Sequence, residues 1–195
     1  MPLRKPSAST QNSAEAYCWR GIAYSNLGAY DKAVTDHSTA LRLDPKFLQA
    51  SYNRGQAYFQ QGHLDRAISD FTQVIRHDPA VTQAYIARCR AYLQKGDADQ
   101  AVADAGHALR IDPQNAEALS LRGWAYEEQR EYDKAISELS RAIRIDRKLA
   151  EAYYNRALAF IGKGELEKAI ADWGRVIHLH PNNAAEAGPG ILRSS

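Results

Sequence analysis

The sequence predicts an all-α fold, a solenoid of five helix–turn–helix repeats holding about ten helices. Three observations lead there. Shifting the chain by 34 residues superimposes blocks that begin at positions 14, 48, 82, 116 and 150, and a fixed period of that size marks a stack of one supersecondary unit. Each block carries two apolar stripes at helical spacing, at block positions 4, 8 and 11 and again at 20, 21, 24, 27 and 28. Small residues recur where two helices must touch. Position 8 is Gly21, Gly55, Cys89, Gly123 and Ala157, position 20 is always Ala, and an aromatic at position 11 (Tyr24, Tyr58, Tyr92, Tyr126, Phe160) fills the space beside them.

Residues 1–13 have basic side chains with no apolar stretch behind them, so they read as a disordered lead-in rather than a signal peptide or anchor. The repeats then follow as 14–47, 48–81, 82–115, 116–149 and 150–183. In each, a first helix fills positions 1 to 14 and a glycine at position 15 (Gly28, Gly62, Gly96, Gly164) ends it, since a left-handed residue costs glycine little. Asp31, Asp65, Asp99 and Asp133 then suit the positive start of the second helix, and Arg42, Arg76, Arg110, Arg144 and His178 its negative end. Proline at position 32 (Pro45, Pro79, Pro113, Pro181) stops it. The fourth block has Arg130 for the glycine and Arg147 for the proline, so its turns are expected to be strained by up to about 1 kcal/mol or reshaped, but not lost. Residues 184–195 start a further helix that Gly188, Pro189 and Gly190 halt, leaving a short tail without a clear capping helix. The last second-helix face, including some of Ile170, Trp173, Val176 and Ile177, is therefore expected to stay partly open, either supporting homo-oligomers or meeting the next repeat of a longer protein.

A second regularity is ionic. Arg20, Arg54, Arg88, Arg122 and Arg156 at position 7 answer Asp36, Asp70, Asp104, Glu138 and Asp172 at position 23. The turn at position 15 lies midway, so an antiparallel hairpin sets each pair level, and the expected role is structural: a partly buried ion pair fixing register. Five copies of one pair make poor sense as catalysis.

These residues resemble the tetratricopeptide repeat family over about seven-eighths of the chain. The resemblance implies a right-handed superhelix whose concave groove is lined by first helices, with positions 2, 5, 9, 12 and 13 facing a ligand. Of these the peptide-binding candidates are Tyr52, Gln56, Phe59, Arg90, Glu117, Trp124, Glu127, Glu128 and Tyr154, joined by Asn53 and Asn155 at position 6, where relatives carry an asparagine ladder. Acids crowd the last two repeats and large aromatics stand among them, which suits a partner segment with apolar anchors beside Lys or Arg. The competing reading has the acids as a solvated face and the aromatics packed on neighbouring helices. Relatives that clamp chaperone C-terminal tails need Lys at position 5, which no repeat has, so those tails are not expected partners.

Composition narrows the rest. With 25 Lys and Arg against 23 Asp and Glu, net charge is +2, and no basic run favours nucleic acid. The two cysteines, Cys18 and Cys89, fall two repeats apart, which suits a reducing, cytoplasmic setting. No stretch reads as a membrane span, no Cys or His cluster as a metal site, no glycine loop as a cofactor cradle, and no acid, base and nucleophile converge. The sequence reads as a non-catalytic protein-interaction scaffold that self-associates through its last repeat. The alternative is an accessory region of a larger enzyme or regulator that positions substrate proteins.

Overall fold

The computed structural model describes residues 8–180. The described residues form ten α-helices and no strand: α1 (Ala8–Asn26), α2 (Tyr30–Leu43), α3 (Leu48–Gln60), α4 (Leu64–His77), α5 (Thr82–Lys95), α6 (Ala98–Ile111), α7 (Ala116–Glu128), α8 (Tyr132–Ile145), α9 (Ala150–Gly162) and α10 (Leu166–Leu179). The boundaries follow the 34-residue period closely, with one difference. Helix α1 starts at Ala8, so residues 8–13 of the expected disordered lead-in are helical. Pro181 and the tail at 184–195 lie outside the described residues.

The chain divides into two compact units, residues 1–91 and 92–195, where the sequence suggested one array. In the first unit α1 pairs with α2 and α3 with α4, and α3 also packs on α2. In the second, α7 pairs with α8 and α9 with α10, while α7 packs on α6 and α9 on both α8 and α7.

Helix pairing rests on the small residues. A Cβ at Gly55 would come within 2.7 Å of the Phe71 ring, and one at Gly123 within 2.5 Å of Leu139, so the absence of a side chain is what lets each pair close. Phe71 and Leu139 are fully buried as a result. Their counterpart in the first hairpin is His37, also fully buried, with its ring within 2.9 Å of where a Gly21 Cβ would stand.

Both fourth-repeat turns survive. Arg130 takes the left-handed conformation at φ 60°, beside Gly28, Gly62, Gly96 and Gly164 at φ 71–83°. At the other turn Asp146 Oδ1 accepts the Lys148 amide at 2.8 Å, as Asp44, Asp78 and Asp112 accept those of Lys46, Ala80 and Gln114. The aspartate, not the proline, holds this loop in every one of them.

Candidate partner-binding faces

The position-7 arginines form the framework on which the first helices are set. Arg20 grips Asp36 with two hydrogen bonds of 2.7 and 2.8 Å, Arg54 grips Asp70 at 2.8 and 2.7 Å, and Arg156 grips Asp172 at 2.7 Å twice. Each carboxylate is buried, and its charge pushes the Arg20 and Arg54 guanidiniums above their ordinary range through hydrogen bonding first. Arg122 is held differently, by one bond of 2.8 Å from Nη2 to Glu138, whose carboxylate also accepts from Arg141. Arg88, in the first unit, lies over the Tyr85 ring at 6.0 Å, and Asp104, in the second, is buried.

Two further sets of ties escaped the sequence reading. The arginines reach back to a hydroxyl of the preceding repeat: Arg54 donates to Ser38 at 3.2 Å, Arg88 to Thr72 at 2.9 Å and Arg156 to Ser140 at 2.9 Å. The recurrence of Ser or Thr at position 25 was the available signal. The acids at position 18 stand in the first turns of the second helices, as read from the sequence, and three of them also hold the next repeat. Gln61 donates to Asp31 at 2.7 Å, Gln129 to Asp99 at 2.6 Å and Lys163 to Asp133 at 2.5 Å. Side-chain caps are made by Asp97 and Asn115, which accept the amides of Gln100 and Ala118.

On this framework the candidates of the first unit gather on α3. The Tyr52 ring meets Phe71 at 5.7 Å with the planes tilted by 52°, and Gln56 donates to the Tyr52 hydroxyl at 2.9 Å. Tyr52 and Phe59 both pack against Ala67, Phe71 and Ala87, so each anchor keeps one face on the core. Asn53 donates to the Cys18 thiol at 3.7 Å, and burial raises the pKa of that thiol. A notch of about 200 Å³ opens beside Tyr52, lined by Leu48, Gln49, Val74, Val81 and Gln83. Arg90, on α5, is half-buried.

In the second unit Trp124 is half-buried and its indole N–H donates to Glu128 at 2.9 Å, one turn along α7. Glu117 and Glu127 are half-buried on the same helix and Glu128 is exposed. Tyr154 and Asn155 depart from expectation. They are only 7% and 6% exposed, because α9 packs against both α7 and α8, and they offer a partner little surface. The competing reading, aromatics packed on neighbouring helices, holds at Tyr154.

Cys18 and Cys89 are both free thiols and buried. Among the described residues no helix is long and apolar enough to cross a membrane, and no group of three or more His, Cys, Asp or Glu could hold a metal.

Comparison with known proteins agrees with the fold. A TPR repeat family model matches residues 26–62, a tetratricopeptide repeat model matches residues 52–114 and 86–150, and another matches residues 150–183. No curated protein matches. Among solved structures, the chain is similar to MamA protein, at 22% identity and a TM-score of 0.74, over 92% of this chain and 98% of that one. It is also similar to a thermophilic TPR protein in Thermus thermophilus, TTC0263, at 23% identity and a TM-score of 0.73, over 88% and 94%. A third is YrrB, described as a TPR protein with an unusual peptide-binding site, at 19% identity and a TM-score of 0.67, over 91% and 88%.

Proposed function

The chain belongs to the tetratricopeptide repeat family, and from that premise we propose that it is a non-catalytic scaffold that binds a partner segment with apolar anchors and neighbouring Lys or Arg. The carrying observation is Trp124. Its indole is pinned by Glu128 on a helix that also carries Glu117 and Glu127, so a large apolar surface is held ready among carboxylates before any partner arrives. The bonded Tyr52 and Gln56, with the apolar notch beside them, support a second point of attachment for an aliphatic or aromatic side chain. Cytoplasmic residence fits the two free thiols. Self-association through the last repeat belongs to the same proposal.

The test is a calorimetric titration with two synthetic peptides of equal length, one alternating Leu with Lys and the other Leu with Glu. The basic peptide is expected to bind, to weaken as salt rises, and to lose about tenfold or more in affinity with Trp124→Ala. Equal binding of both peptides, or an unchanged affinity in the Trp124 variant, overturns the reading.

A further inference from the structure

Building on the peptide-binding reading above, we propose that the notch beside Tyr52 takes one phenylalanine side chain of the partner segment, and that Val81 is the residue that leaves it open.

The repeats supply the comparison. The notch is enclosed by Leu48, Gln49 and Tyr52 of α3, Val74 of α4, Val81 just before α5 and Gln83 on α5. Tyr52, Val74 and Val81 stand at positions 5, 27 and 34 of the second repeat. In the first repeat those positions are Cys18, Ala40 and Phe47, and there Phe47 packs against the cluster that Cys18 and Ala40 form with Ala50. The chain thus closes the junction between its first two hairpins with a phenyl ring of its own. At the next junction valine stands in place of that ring, and about 200 Å³ stays open.

Tyr52 is larger than Cys18 but does not fill the space. Its ring leans on Phe71 at 5.7 Å, and its hydroxyl accepts from Gln56, one turn further along α3, while the notch opens beside Leu48 and Gln49 in the first turn. Tyr52 is held as a wall, and Val74, itself buried, backs the notch.

Size and charge then select the occupant. Pockets for whole small molecules run to about 300–1,000 Å³, so this one has room for a side chain rather than a ligand of that size. No charged side chain lines it, so a Lys, Arg, Asp or Glu entering it would lose its hydration with no opposite charge to meet. An apolar side chain bears no such cost. The Tyr52 ring in the wall favours an aromatic one, which gains a ring-to-ring contact that leucine does not make. At the mouth, Gln49 and Gln83 are exposed on successive first helices. A side-chain amide has both a donor and an acceptor, as a peptide backbone does, so the two glutamines suit the partner chain on either side of the anchor whatever its sequence. Discrimination therefore sits in the notch.

The methyl-labelled whole chain, titrated with N-acetyl-L-phenylalaninamide and followed by NMR, reads the notch directly. Saturable shifts of the Leu48 and Val74 methyl signals are expected, with weaker binding of the leucine analogue and none of the alanine one. Val81→Phe fills the notch from within, as Phe47 does one repeat earlier, and is expected to abolish the shifts. Val81→Leu, which copies Leu149 at the same position of the fourth repeat, is expected to reduce them, and circular dichroism checks that both variants fold. A second arm uses the peptide alternating Leu with Lys, one central Leu exchanged for Phe or for Ala. Wild type is expected to prefer the Phe peptide to the Ala peptide by about tenfold, and Val81→Phe to bring that ratio near one. Trp124→Ala is expected to weaken both peptides alike and to leave the ratio unchanged. Absence of shifts with the phenylalanine amide, shifts that persist in Val81→Phe, equal binding of the leucine analogue, or basic peptides that bind without a Phe preference each overturn the proposal. If no basic peptide binds while the phenylalanine amide still shifts wild type and not Val81→Phe, the pocket is upheld and it is the basic-partner reading that fails.

Discussion

Glu138 is one methylene longer than the aspartate that fills its position in the other four repeats, and Arg122 registers the difference. Its Nη2 reaches Glu138, but its Nε is buried with no hydrogen-bond partner, whereas the Nε atoms of Arg20, Arg54 and Arg156 each donate to an aspartate. A buried donor left unpaired costs about 1–3 kcal/mol. The position-25 hydroxyl that aids its neighbours is absent too, since Gly106 stands there. Glu138→Asp is therefore expected to raise stability by about 1 kcal/mol, after a small loss of the partly exposed Arg141 contact. A shift of the urea midpoint to higher concentration at unchanged slope is the expected reading. A lower midpoint would mean that the glutamate geometry is the better one. Arg54→Ala, by contrast, strands buried Asp70 and is expected to cost about 3–5 kcal/mol.

At the scale of the helical hairpin, the turn of the fourth repeat keeps the conformation of its glycine counterparts with a side chain attached. Arg130 at φ 60° carries a steric cost that glycine avoids, so Arg130→Gly is expected to stabilise the second unit by about 1 kcal/mol. An unchanged or lowered thermal midpoint would show instead that the added freedom of glycine in the unfolded chain outweighs the strain relieved. That this turn could be foreseen at all has a physical reason. Helix, turn and pairing residues obey local demands repeated five times over, so the glycines, the position-20 alanines and the arginine pairs declare themselves by recurrence. What the sequence hid depends on contacts 30 residues apart or on how one first helix lies against the next. Asp31, Asp99 and Asp133 are helix-start charges, as their position says, but their side-chain partners sit in the following repeat and left no mark at that position. Tyr154 and Asn155 occupy ligand-facing positions by number, yet the packing of α9 on α7 and α8 buries them. Among the candidate positions, the accessibility of Trp124 and Glu128 follows from repeat numbering, whereas the burial of Tyr154 and Asn155 does not.

Across the whole molecule, stability is assembled from neighbouring hairpins rather than one central core, so a defect in one place weakens that place first. His37 is such a defect under acid. It fills the position held elsewhere by Phe71, Leu139 and Trp173, is fully buried, and neither ring nitrogen has a hydrogen-bond partner. Burial is the main influence and lowers its pKa from the ordinary 6.5 to about 4. The Asp36 carboxylate on the same helix opposes the shift and the Arg54 guanidinium on α3 assists it. Arg20, on α1, is paired to that same Asp36. A lowered pKa means the unfolded chain binds the proton first as pH falls. The stabilisation from keeping His37 neutral is thus fully present above about pH 6.5 and drains away between there and pH 4, by about 3 kcal/mol in all. His37→Phe removes the titrating group and supplies the residue that the second repeat packs against its own glycine, Gly55. The variant is expected to be more stable than wild type at neutral pH and to gain further advantage as pH drops. Urea unfolding of both proteins at a series of pH values isolates that difference from the titration of the carboxylates they share. A stability gap that stays constant from pH 7 to pH 4 would show that His37 finds water or a partner on protonation.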